Sequence, residues 1–251
     1  FSDIDLLFAY DQKISKKELR VIIEFILYSL WDIGLKIGYA VRTFEEINLF
    51  SKKDQVIKTS ILDARVVFGS KLVFNKIMRN FVEEFTTDSK IFLKEKICER
   101  KKSIQNLGFD YFKNEPNLKE SEGSLRDINL IYWGLKILNI SQKKNIKNSN
   151  KFLNLNEKKI ISKALEFLLT LRCFAHYLSK RQNDKLTFDL QKTIAEKIRT
   201  KEKRNTNNLV ELLMRDYFEQ IKKIKTLTQI LSESIFIKCV CLWQKHYTYY
   251  R

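Results

Sequence analysis

The first ten residues, FSDIDLLFAY, place two acids, Asp3 and Asp5, inside an apolar and aromatic run. On an extended strand, residues two apart face the same side, so both carboxylates would lie together, roughly 6 to 7 Å apart at the backbone. Carboxylates at that spacing can converge on one or two Mg²⁺ ions, hard cations that take oxygen ligands and share them with substrate phosphates. Two such ions, about 3.5 to 4 Å apart, activate an attacking oxygen and neutralise a leaving pyrophosphate. The pair suits nucleotidyl transfer, provided a third acid arrives from another strand. The plain alternative is a strand with a solvated polar end, because a short motif alone has a high false-positive rate.

Asp63 is the candidate third acid. It stands in ILDARVVFG, residues 61–69, an apolar and β-branched run that reads as a strand closed by Gly69. An unpaired charge inside such a strand is costly, which favours placement for a metal over accident. Arg65, two residues on, would share its face and offset phosphate charge.

Positioning these residues requires strands separated by helices. Residues 2–10 read as a first strand. From Lys17 to Ile33 the positions Leu19, Ile22, Ile23, Ile26, Leu27, Leu30 and Trp31 repeat at helical spacing. That helix should stop before Gly34, and LKIGYAV, residues 35–41, reads as a second strand. A short helix near Phe44–Phe50 precedes the third strand. Beyond Ser70 the pattern turns helical: to about Gln105 with an interruption near Thr86–Ser89, then near 128–138, 157–180, 187–199 and 208–231. The polar stretches 141–151 and 199–208 read as solvated connectors. The expected organisation is a small α/β domain over residues 1–98 and a helical domain over 99–251.

Composition narrows the class. The chain of 251 residues is 44% hydrophobic and 31% charged, in the range of a folded globular protein. Its formal charge of +17 attracts phosphate at long range. The lysines, however, are dispersed among glutamates, which argues against a dedicated polynucleotide groove and leaves room for a nucleoside triphosphate. Four scattered cysteines, Cys98, Cys173, Cys239 and Cys241, suit a reducing, cytoplasmic setting better than a disulfide framework. No apolar run is long enough to span a bilayer, so no membrane partner is expected. The opening residue, Phe1 without a preceding methionine, reads as an internal start.

Five segments then combine. SDIDLL, YSLWDIGLKIGYAVRTFEE, TSILDARVVFG, EPNLKESEGSLRDI and ALEFLLTLRCFAHYLSKRQNDKLTFDLQ occur in the order of the landmarks of bacterial PII-protein uridylyltransferases. The chain resembles that family from residue 1 to about residue 231. The resemblance implies an α+β fold, with a polymerase-β-like nucleotidyltransferase mixed sheet, N-terminally incomplete, followed by an all-helical domain. It implies transfer of UMP from UTP to a tyrosine of the PII nitrogen-regulatory protein, with Mg²⁺ or Mn²⁺ and release of pyrophosphate. Carried over by position, Asp3 and Asp5 are the metal pair of the family's SDxD motif and Asp63 is the third carboxylate. Ser2, Arg42, Arg65, Lys119 and Arg126 are the candidates to hold nucleotide phosphates. An inactive regulatory module of the same fold, a transferase of the kind that adenylylates glutamine synthetase, and transfer to RNA are the alternatives.

The departures are specific. The family's loop reads EPNLKEGPGGLRD; here Ser121 and Ser124 replace glycines and Glu122 replaces the proline, while Gly123 keeps access to positive φ. The superfamily's glycine turn that cradles phosphates is expected upstream of Phe1, so residues 1–251 alone are expected to have weak or no activity. The family's hydrolytic and glutamine-sensing domains are expected elsewhere in the intact chain. The two histidines, His176 and His246, are not followed by aspartate, so UMP removal is not assigned to these residues. His176, in an apolar helix, is expected to be a hydrogen-bonded core residue. The Cys239-x-Cys241 pair lacks the second ligand pair of a zinc site.

Overall fold

Two parallel strands joined by a helix open the chain. In the computed structural model, which describes residues 4–106, 114–142, 153–198 and 206–247, β1 (Ile4–Tyr10) pairs with β2 (Ile37–Thr43) from Ile4↔Ile37 to Tyr10↔Thr43. Parallel neighbours need a crossover, supplied by α1 (Lys16–Asp32). The spacing of Ile23 and Leu27 puts both on its buried side. The helix ends at Gly34, whose φ of +81° lets its N–H reach Trp31 O at 2.8 Å while Leu35 N–H reaches Leu30 O at 3.1 Å. That pair of bonds is the glycine-terminated stop expected from the sequence.

Thr43 ends β2 and caps α2 (Phe44–Lys53). Its hydroxyl accepts from Glu46 N, while the Glu46 carboxylate accepts from Thr43 N, a reciprocal capping box. Asp54 then caps α3 (Gln55–Asp63), accepting from Val56 N at 2.7 Å.

The expected third strand does not form. Ile61, Leu62 and Asp63 form the last turn of α3, and the residues from Ala64 to Gly69 have no strand pairing; Phe68 is 99% exposed. The Asp54 cap starts a helix, and Lys58, Ile61 and Leu62 are buried at i, i+3 and i+4. A short apolar run does not by itself distinguish strand from helix. Among the described residues the sheet is a parallel pair, not a mixed sheet.

From Lys71 to Asn106 a single helix, α4, runs through the expected interruption near Thr86–Ser89. The chain divides into two units, Phe1–Thr87 and Asp88–Arg251, within that helix, which also contains the expected boundary at residue 98. In the first unit Ile23, Leu27, Ile47, Ile61, Leu62, Ile77, Phe81 and Phe85 are buried.

The second unit is helical: α5 (Leu125–Gln142), α6 (Leu155–Ser179), α7 (Phe188–Ile198) and α8 (Thr206–Tyr247). The last of these is packed by the other three. Its Leu213, Tyr217, Ile221 and Ile224 recur at three and four residues and meet Ile161, Leu168 and Leu171 of α6, with Ile194 of α7, in one core. Among the described residues the sheet lies in the first unit, an arrangement compatible with the expected α+β class. No helix among the described residues is long and apolar enough to cross a membrane.

Candidate active site

Asp5 is the second residue of β1, directly opposite Gly38 of β2. Its side chain is exposed, and its Oδ1 lies over the glycine: a Cβ built at Gly38 would stand 2.7 Å from that oxygen. Because paired residues of parallel strands face one side and alternate residues return to it, the Asp5 face also carries Leu7, Ala9, Ala40 and Arg42. Arg42 follows Gly38 by four residues, roughly 13 Å along the strand. Its guanidinium sits 4.5 Å from the centre of the Phe50 ring, a cation–π contact that restricts where the charge can point. The sheet thus brings Asp5 and Arg42 to one face.

Asp3 and Ser2 lie outside the described residues. Asp63 and Arg65 are not on the sheet: the first closes α3, and the second is exposed in the irregular segment beyond it. Among the described residues, no three His, Cys, Asp or Glu side chains are grouped to hold a metal. An exposed carboxylate on a strand nevertheless has the hard oxygen donors that Mg²⁺ or Mn²⁺ requires. At the other end of the strands, Tyr10, Gln12, Lys16, Thr43, Glu45 and Lys52 line an open groove.

Lys119 and Arg126 belong to the second unit. Residues 114–124 fold back on themselves: Leu125 N–H donates to Leu118 O and Arg126 N–H to Lys119 O at 3.1 Å, so the two cations are side by side along the backbone. The Arg126 guanidinium donates to Glu120 at 3.0 Å on the surface.

Arg100 of α4 holds this loop from within. It donates to both carboxylate oxygens of Asp127, at 2.6 and 3.2 Å, and to the Glu120 and Ser121 carbonyls at 2.9 Å. Asp127 is 1% exposed and also accepts from Gly123 N–H.

Ser121 and Ser124 are buried and bonded. Ser121 Oγ accepts from Asn117 N–H at 2.9 Å, and Ser124 Oγ donates to Asn117 O at 3.3 Å. Gly123 has φ +80°, with Ile221 O only 2.5 Å from where its Cβ would be. The loop keeps its glycine where α8 passes and uses side-chain bonds elsewhere.

His176 is buried, as expected, and its Nε2 lies 2.8 Å from Asp184 Oδ1. Arg172, one turn earlier, donates to the same oxygen at 2.6 Å. Burial alone would raise the Asp184 carboxyl, but the hydrogen bonds and charge of Arg172 and His176 hold it below the usual carboxylate range. The backbone at Asp184 accepts from Leu118 N–H at 2.8 Å, and Asn117 bridges Lys185, which ties the triad to the loop.

Sequence reasoning missed Gly38, Arg100 and Asp184. An isolated glycine within a strand pattern signals close approach, so Gly38 had a readable cue. Arg100 and Asp184 had none, because their partners are remote in sequence or lie in irregular chain. Side chains at Cys239, Cys241 and His246 lie outside the described residues; Cys98 and Cys173 are free thiols.

Residues 91–232 match the family model for GlnD PII-uridylyltransferase. Over 236 residues the chain is 35% identical to the bifunctional uridylyltransferase/uridylyl-removing enzyme of Azospirillum brasilense, covering 94% of this chain and 25% of that protein. The enzymes of the same name from Phenylobacterium zucineum and Caulobacter vibrioides are 33% and 34% identical over the same shares. The chain therefore spans about a quarter of the length of these curated relatives. No solved structure matches it significantly. On the family model and these identities, the chain belongs to the GlnD PII-uridylyltransferase family.

Proposed function

We propose that these residues carry part of a metal-dependent nucleotidyltransferase, of polymerase-β-like type, that moves UMP from UTP to a tyrosine of the PII nitrogen-regulatory protein. The observation that carries this reading is the exposed Asp5 carboxylate on β1, in a chain aligned over nearly its whole length with named uridylyltransferases. Asp3 and Asp5 would hold Mg²⁺ or Mn²⁺; the role of Asp63 rests on the resemblance alone, because α3 removes it from strand geometry. When bound, the cation supplies Lewis-acid stabilisation of phosphate charge.

The tyrosine oxygen attacks the α-phosphorus of UTP, the bond to the bridging oxygen breaks, and pyrophosphate leaves with that electron pair. The phenolic proton passes to a carboxylate acting as general base. Arg42, held against Phe50 on the Asp5 face, stabilises triphosphate charge. Lys119 of the loop and Arg126 in the first turn of α5, neighbours along the backbone, are further phosphate candidates, with Arg65 and Ser2.

Asp5→Asn in the intact protein tests the reading. Metal-site partners one shell out cost about 10- to 100-fold when mutated, so loss of a direct ligand is expected to lower UMP transfer to PII by at least about 100-fold. Transfer at the unaltered rate would sink the proposal.

A further inference from the structure

We propose that Gly38 is a positioning residue for the Asp5 carboxylate, a role that rests on the metal-binding reading of Asp5. Register places the two residues opposite each other on neighbouring strands. A Cβ at Gly38 would come within 2.7 Å of Asp5 Oδ1, whereas its next neighbours, Asp5 Cγ at 3.9 Å and Ile4 O at 4.0 Å, are at ordinary contact distance. The carboxylate oxygen is thus the one group that a side chain at position 38 would displace.

Backbone conformation does not account for this glycine. The described glycines with positive φ are Gly34, Gly69 and Gly123, and Gly38 is not among them. Gly34 answers to a helix stop, with open space around its missing Cβ, and Gly123 answers to backbone crowding from Ile221. Gly38 sits in regular strand, where glycine weakens the element and alanine ordinarily strengthens it. A residue that gives up strand stability and clears room for one carboxylate oxygen fits a site in which the direction of that carboxylate matters. With alanine at 38, Asp5 must rotate about its side-chain torsions; the backbone need not move.

This predicts a separation of stability from binding in the intact protein. Gly38→Ala, Asp5→Ala and the double variant are compared by Mn²⁺ affinity in the presence of UTP, read from the spectroscopic signal of free Mn²⁺, and by melting temperature. Gly38→Ala is expected to keep or raise the melting temperature and to weaken Mn²⁺ binding by about 10- to 100-fold, the cost of losing a group that orients a ligand. Added to Asp5→Ala it should change affinity no further, because the two act through one oxygen. Unchanged affinity in Gly38→Ala, with affinity lost in Asp5→Ala, overturns the positioning role and leaves the metal reading standing. Unchanged affinity in Asp5→Ala overturns both. If Gly38→Ala does not fold, recovery of folding by Asp5→Ala supports the contact, and failure to recover overturns it, since the crowding would then lie elsewhere.

Discussion

Asp184 joins two side chains of α6 to the segment that precedes α7, and its charge is the condition for that joint. Its carboxyl is held below the ordinary range by Arg172 and His176 against the effect of burial. In the unfolded chain an aspartate titrates near about 3.9, so the folded form takes up the proton at lower pH than the unfolded form. The stability this contributes is complete above the unfolded value and is lost as pH falls through the lower folded value. Urea unfolding of the wild type and Asp184→Asn is therefore expected to differ most at neutral pH and to converge on acidification below about pH 4; a gap independent of pH would remove Asp184 from that role. The core placement of His176 was legible in its apolar helix. Its acidic partner was not, because Asp184 stands eight residues on in irregular chain.

At the scale of elements, the segment that leads into α5 is organised by a buried ion pair. Arg100 satisfies Asp127 and two loop carbonyls at once. Removing one partner of such a pair leaves an uncompensated buried charge, which costs about 3–5 kcal/mol. Arg100→Ala is expected to lose that much in denaturant unfolding, and Arg100→Lys a large part of it, because an ammonium cannot reproduce the planar fork. A loss below about 1 kcal/mol for Arg100→Ala, the range of an exposed pair, would show that the pair does not hold that segment. The α3 segment carries the opposite lesson. ILDARVVFG has strand-like composition, yet the Asp54 cap and the burial of Lys58, Ile61 and Leu62 decide for helix.

Across the whole molecule, burial is uneven. In α1, Ile23 and Leu27 are buried while Val21, Ile22, Phe25 and Tyr28 are exposed, Phe25 by 72%. In α6, by contrast, Ile161, Ala164, Leu168, Leu171, Ala175 and His176 form a continuous buried stripe. Local opening follows buried apolar contact. Hydrogen exchange on the 251-residue chain is expected to show β1 and α1 opening well before α6 and the first half of α8; equal protection in the two groups would contradict it. The charge of +17 is likewise a property of the whole chain, and it supports a general attraction of anions.

Helical period, caps and stops are local, so the sequence alone determined most of the helices, the stop at Gly34, the positive φ at Gly123 and the strand that carries Asp5. Family membership was legible in the order of five short segments, and the family model and the relatives establish it. The tertiary structure alone decided what lies opposite what. Strand register set Asp5 over Gly38 and put Arg42 on the same face, and the packing of α4 on the loop matched Arg100 to Asp127. Those pairings join residues remote in the chain, and periodicity, which speaks only of neighbours along one element, has no access to them.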